Sequence, residues 1–387
     1  MIDTIVLVLS EGFTIMEPDR FQPTARDLLH NDEYMGGRGY KICKQNPTRA
    51  EQLDGSYKPR LTLTKRYTNG GFGLSLKIEL SLPKLVYGNN FNELTDDDFE
   101  QLVNKLQSAL KQMGVLIFVE VLKASPVSEI HYSKNVVFTD GRIAKYWIDR
   151  LDEANIRKSL DTSKDSYQNG GSMFKTHARS FEVAFYDKIR ELEASTKSIR
   201  RAERLDDVVQ IGLFEQFQSR RMLEVFRMEA RLNTRRKIRV TLKKVKVFVE
   251  PTFENLFEQE YSRLVLLHLL DEIREKRPAI FDYKKWSGKK FLTEMQLSNP
   301  DIGMAQLLKV CGLKWMSDQM GMRELRVMLS KYSDRSWYRL VADMKKVTYP
   351  NRVDPLLELR RRIEQDKPVC LVDYKEYLLN NDKNGIN

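Results

Sequence analysis

SFEVAFYDKIRELE, residues 180–193, alternates Phe181, Val183 and Phe185 against Glu182, Ala184 and Tyr186, then turns into a charged, helix-prone run. The period of two predicts a strand with one apolar face, and the change of pattern after Tyr186-Asp187-Lys188 predicts that a helix follows at once. Tyr186 stands at that junction on the polar side. Two readings are open for it: a strand tyrosine, a residue type favoured in sheets anyway, or a nucleophile.

The segments around it decide which neighbours it has. MFKTH, residues 173–177, precedes it across a short ARS turn and forms the other arm of a hairpin. MLEVFRMEARL at 222–232 and VSEIHYSKNVVF at 127–138 also alternate. Side chains two apart on a strand share a face. One face then carries Glu129, His131, Ser133 and Asn135; a second Glu182, Tyr186 and Lys188; a third Arg227, Glu229 and Arg231. In one sheet, these faces gather a tyrosine, a histidine, carboxylates and arginines on a single exposed surface.

Farther out, LTLTKRYTNGGFGLSLKIELSL, residues 61–82, reads as a hairpin around Asn69-Gly70-Gly71, ended by Pro83. ELTDDDFEQLVNKLQSALKQMG reads as a helix capped by Thr95, with Phe99, Leu102, Leu106 and Leu110 on one side and Gly114 at its end. VLIFVEVLK at 115–123 reads as a strand, Arg142 to Leu151 as a helix, 161–171 as a polar loop, 189–218 as charged helices, and VTLKKVKVFVE at 240–250 as a strand or strand-like linker. From Pro251 the apolar period becomes 3.6. The expectation is an α+β chain: a mixed or antiparallel sheet with flanking helices over residues 1–250, then a mainly helical unit over 251–387.

The 387 residues, 41% hydrophobic and 31% charged, are enough for two cores. No apolar run is long enough to span a membrane, and MIDTIVLVLSEGF lacks the basic start of a leader, so the cytoplasm is the expected location. Cys43, Cys311 and Cys370 are too far apart for a disulfide framework or a zinc site. The net charge of +11 is concentrated between Lys197 and Lys246, where 15 Lys and Arg face 6 acids. That block, with Arg235, Arg236, Lys237 and Arg239, suits a polyanion, because phosphates neutralised by lysine and arginine release counterions. A solvated basic face is the alternative.

These residue types suit phosphodiester chemistry. A neutral phenol is a poor nucleophile, so a nearby cation such as Lys188, or a metal, must favour the phenolate that attacks phosphorus. A divalent ion, Mg2+ or Mn2+, held by carboxylate and imidazole neutralises the non-bridging oxygens, and Arg227 and Arg231 position the strand. Each element has a bland counterpart. Glu229 between two arginines can be a cross-strand pairing set, and His131 a hydrogen-bonded or surface residue. The chain has no phosphate-binding Gly-rich loop, no Gly-x-Ser-x-Gly, and no pair of histidines separated by one apolar residue.

MIDTIVLVL, IELSLPKLVYGNNFNEL at 78–94, VSEIHYSKNVVFTDGRIAKYWIDRL at 127–151, VAFYDKIRELE and VFRMEARLNTR come in an order that resembles the filamentous-phage gene II replication protein family. The resemblance covers residues 1–245 best. It implies a site- and strand-specific DNA endonuclease that initiates rolling-circle replication, stays joined to the 5′ end through tyrosine, and reseals the displaced circle. It implies double-stranded origin DNA and displaced single-stranded DNA as partners, with a host helicase and polymerase to take over. By motif position Tyr186 is the nucleophile and Glu229 a metal ligand. The family pattern Arg-Ile-Asp is replaced by Glu129-Ile130-His131, so His131 or Glu129 takes the place of the aspartate.

Two other classes stay open from residues alone. A non-catalytic origin-binding or regulatory protein rests on the basic block, and a recombinase or topoisomerase differs in the DNA end it holds. Tyr132 and Tyr167 are the next tyrosines if Tyr186 is not the nucleophile. Residues 302–346 can place two helices about Lys331–Asp334, with Arg323, Arg326, Arg335 and Arg339 toward phosphates, or simply an amphipathic pair.

Overall fold

The computed structural model describes residues 1–30, 40–47, 57–68, 71–138, 144–154, 161–166, 172–194, 224–274, 288–320, 322–348, 355–365 and 367–374. Its strands are β1 (Ile2–Leu9), β2 (Phe13–Ile15), β3 (Tyr40–Gln45), β4 (Arg60–Thr68), β5 (Gly71–Ser81), β6 (Val115–Ile117), β7 (Val127–Phe138), β8 (Asp161–Ser166), β9 (Ser172–Ala178), β10 (Phe181–Asp187) and β11 (Glu224–Leu232). Nine form one sheet in the order β3-β4-β5-β1-β7-β11-β10-β9-β8, with β2 and β6 paired separately. Every pairing in it is antiparallel, which settles the mixed-or-antiparallel expectation.

Period-two alternation fixes which face is the core. Ile5, Leu7, Ile78, Ile130, Phe185, Phe226 and Met228 join one buried cluster with Trp147, Ile148, Leu266, Leu270, Leu359 and Ile363. The helices Ala144–Ala154, Gln259–Arg274 and Pro355–Gln365 that carry the latter pack against the sheet, the first two on β11 and the last two on β7. Beyond residue 251, the helices Gln259–Arg274 and Pro355–Gln365 are thus part of the sheet's own core. A second cluster, of Phe291, Met295, Leu307, Val310, Leu313, Leu325, Trp337, Val341, Met344 and Val347, lies wholly within 288–348.

Both hairpins form, β4 with β5 and β9 with β10. The Phe99–Gln112 helix buries Leu102, Val103, Leu106, Ala109 and Leu110. Asp98 accepts from the Thr95 backbone N–H at 2.7 Å at its start.

Three expectations are corrected. Residues 115–123 are not one strand: β6 ends at Ile117, the limit of its pairing with the three-residue β2, and Val119–Lys123 is helical with Leu122 buried. The polar run at 161–166 is a strand rather than a loop, because it sits at the sheet edge, where only β9 pairs with it and no apolar face is demanded. Residues 235–244 form a helix capped by the Thr234 side chain, which accepts from the Lys237 N–H at 3.2 Å; Ile238 and Leu242, one turn apart, are buried. Of the run 189–218, the helix Lys188–Ala194 is described, and the rest, like Tyr167, lies outside the described residues. Cys43, Cys311 and Cys370 are free. No helix among the described residues is long and apolar enough to cross a membrane.

A buried carboxylate fastens the chain's late residues to the sheet. Glu93 accepts from Lys134 Nζ at 2.7 Å, from the Asn135 N–H at 2.5 Å and from the Val369 N–H at 3.0 Å. Lys134 also donates to the Lys367 carbonyl at 2.7 Å. Burial raises the Glu93 carboxyl, but Lys134 and the α-amino group of Met1 outweigh it and hold it below the ordinary carboxylate range.

Candidate nucleophile and carboxylate centre

Strand register brings the three polar faces together. Across β10 and β11, Tyr186 lies opposite Arg227 and Glu182 opposite Arg231; across β11 and β7, Arg227 lies opposite Asn135, Glu229 opposite Ser133, and Arg231 opposite His131. Sequence parity therefore located the set. It misjudged the exposure: Tyr186 is 7% exposed, Arg227 2%, Glu229 3% and Lys188 0%. The residues form a buried polar layer, covered at one end by the Asn90 and Phe91 backbone, whose carbonyls accept from Arg227 and Asn135.

The Tyr186 hydroxyl donates to Glu229 Oε2 at 2.9 Å. Glu229 Oε1 accepts from Arg231 Nε at 2.8 Å and lies 3.6 Å from His131 Nδ1. Lys188, the first residue of the helix after β10, points its ammonium toward the Tyr186 ring 5.8 Å away and donates to Glu191 at 2.8 Å. Asp187 closes the strand; its Oδ1 accepts the Arg190 N–H at 3.0 Å, which makes it a cap and not a member of the centre.

Arg227 is committed within the protein. It donates to Ser133 Oγ at 3.0 Å, Asn135 Oδ1 at 3.2 Å and the Asn90 carbonyl at 3.0 Å, and pairs with Asp3 at 2.7 Å. This corrects its reading as a phosphate contact, since no side is left toward solvent. Asp3 was missed. Its neighbours Ile2 and Thr4 pair with consecutive residues Tyr132 and His131, so Asp3 is an inserted bulge residue that breaks the alternation and turns onto the polar face. A charged residue in an otherwise apolar strand is the one signal the sequence offered.

The charges set the protonation states. Burial, with Glu229 adding, pushes the Tyr186 hydroxyl well above the ordinary phenol value, while Arg227 acts against this. Burial and Asp3 raise the Glu229 carboxyl, yet Arg231 and Arg227 outweigh them and hold it below the carboxylate range. Burial lowers both His131 and Lys188, opposed by Glu229 and Glu191 respectively. The centre thus pairs a neutral phenol with an ionised carboxylate among three cations.

For a divalent ion the donors fit in part. His131 and Glu229 converge, whereas Glu129 is turned to Lys77 at 3.3 Å. No group of three or more His, Cys, Asp or Glu side chains able to hold an ion occurs among the described residues. Of the basic block, Arg235 and Arg239 both reach Glu250, Lys237 stacks 3.8 Å from the Phe181 ring centre, and Arg236 is exposed on the same helix. Tyr132 is buried on the core face, away from this centre. In the C-terminal helices, Arg326 is buried beside Trp337 and Tyr338, a packing role, while Arg335 and Arg339 are exposed.

A family model that describes the N-terminal part of the phage gene II replication-associated protein matches residues 47–250. No curated protein and no solved structure matches the chain.

Proposed function

Because the chain belongs to the family of gene II replication-associated proteins, whose members imply a rolling-circle initiator, we propose that it nicks one strand of a double-stranded origin through Tyr186 and later religates the displaced strand. The observation that carries this is the 2.9 Å hydrogen bond from the Tyr186 hydroxyl to Glu229, set among Arg227, Arg231 and Lys188.

In this reading Glu229 takes the phenol proton as Tyr186 Oη attacks phosphorus. The P–O3′ bond breaks, the 3′ oxygen leaves as a hydroxyl after taking up a proton, and a 5′-phosphotyrosyl link remains. Arg227 and Lys188 stabilise the developing phenolate, and Arg231 and His131, the more exposed members, face the incoming phosphodiester. The reverse attack by a 3′-hydroxyl restores the DNA bond and frees the tyrosine. His131 and Glu229 are the residues for a divalent ion, Mg2+ or Mn2+, which when bound supplies neutralisation of the non-bridging oxygens. Residues 1–250 carry the chemistry, and of the helical part from 251 on, the helices Gln259–Arg274 and Pro355–Gln365 share the core. Hand-over to a host helicase and polymerase follows from the same role.

The test is supercoiled origin DNA with magnesium or manganese, resolved on a denaturing gel. Relaxed product bearing a covalent protein adduct on the 5′ end is expected, and its persistence undiminished in Tyr186→Phe would reject Tyr186 as nucleophile. The exposed cations of the Arg235–Lys244 helix favour, as a second reading, a non-catalytic origin-binding protein, for which binding weakens with salt and no adduct forms under any metal.

A further inference from the structure

Between the helices Leu82–Tyr87 and Phe99–Gln112 lies a cavity of about 590 Å3, lined by Tyr57, Lys84, Gln101, Asn104, Lys105 and Ser108 among others. Sheet order sets it across β1 from the tyrosine centre: Ser81, which ends β5 just before the first of these helices, pairs with Thr4, next to Asp3. Asp3 feels both sides. Burial raises its carboxyl, and Arg227, Lys188 and His131 from the centre, with Lys84 from the cavity, hold it below the carboxylate range.

The lining has two cations and no carboxylate. Lys105 Nζ donates to the Val86 carbonyl at 2.8 Å, which leaves two further ammonium donors. Lys84 lines the same space at the start of the Leu82–Tyr87 helix. Tyr57, a lining residue, accepts with its hydroxyl from the Ser81 N–H at 2.6 Å, and its own proton meets no acceptor among the described residues. Gln101 and Asn104 offer amide donors and acceptors together, the combination that reads a base edge. The space is an open groove, and Gln101, Asn104 and Ser108 are exposed.

We propose that this cavity is a nucleotide-binding subsite, which takes one nucleotide unit of a single DNA strand with its phosphate on Lys84 and Lys105 and its base edge on Gln101 and Asn104. Its use for a strand running to Tyr186 rests on the nicking reading; nucleotide binding itself does not. Two positions on opposite sides of β1 then hold successive parts of one strand.

The test is calorimetric titration of the full chain carrying Tyr186→Phe with each 5′-deoxynucleoside monophosphate in turn, in EDTA, and with inorganic phosphate. Saturable binding of at least one monophosphate is expected, tighter than phosphate alone. Lys84→Ala should weaken it about tenfold with an unchanged melting temperature, through loss of a charge-assisted contact, and Lys84→Arg should restore it. Asn104→Leu should change the order of preference among the four bases. Absence of binding, equal affinity for phosphate, or an unaltered Lys84→Ala titration would overturn the proposal. The parent variant lacks the Tyr186 hydroxyl, so these outcomes are independent of whether Tyr186 forms an adduct.

Discussion

At Tyr186 the hydroxyl donates to a carboxylate that is itself gripped by Arg231, and the phenol is neutral at rest. Since burial keeps Tyr186 neutral while Arg231 and Arg227 keep Glu229 ionised to take its proton, single-turnover nicking should stay level from about pH 7 to 9. Tyr186→Phe should abolish the adduct and cost about 1–3 kcal/mol of stability, because it leaves Glu229 Oε2 buried and unpaired; urea titration reads the second effect. One residue on, burial with Glu224 pushes the Asp187 carboxyl up to about 6. The native state then holds that proton more tightly than the unfolded chain, whose value is about 3.9. The resulting stability is complete below about pH 4 and is lost as pH rises through about 6, an effect on the order of 2–3 kcal/mol. Asp187→Asn keeps the acceptor for the Arg190 N–H, so it should flatten the profile between about pH 4 and 7 and raise stability at neutral pH, as measured by urea titration at each pH.

The Arg235–Lys244 helix shows where an element was legible and where it was not. Val240, Leu242 and, farther on, Val245, Val247 and Val249 mimic a strand's alternation, but Thr234 as a cap and the Ile238 to Leu242 spacing belong to a helix. Thr234→Ala should cost about 1 kcal/mol in urea titration and leave the sheet intact. The β9–β10 hairpin and β7 were readable because half-buried strands must alternate. That same parity set Tyr186, Glu229, His131 and the two arginines on a common side. What it could not supply was their depth, which comes from the Asn90–Phe91 backbone closing over Arg227 and Asn135, a contact between residues far apart in sequence. Nor could it supply Asp3, since a bulge has no period.

Over the whole molecule, charge is divided between a buried set that shapes the centre and an exposed helix able to meet phosphates. Arg236→Ala with Lys243→Ala should weaken binding to any duplex and lower the slope of log K against log salt by about 0.9 for each phosphate that is no longer neutralised, without changing adduct formation at saturating DNA. The Glu93 cluster joins β7 to residues 367–369. Glu93→Ala leaves Lys134 buried without its partner and should cost about 3–5 kcal/mol in urea titration. The cluster also has a meaning in time. Arg227 and Glu229 reach Tyr186 only after β11 has been synthesised, and Glu93 and Lys134, made early, wait for Val369 and Lys367 before their bonds are complete. A growing chain on the ribosome therefore completes the surroundings of Tyr186 once β11 has emerged, and fastens β7 to residues 367–369 only later.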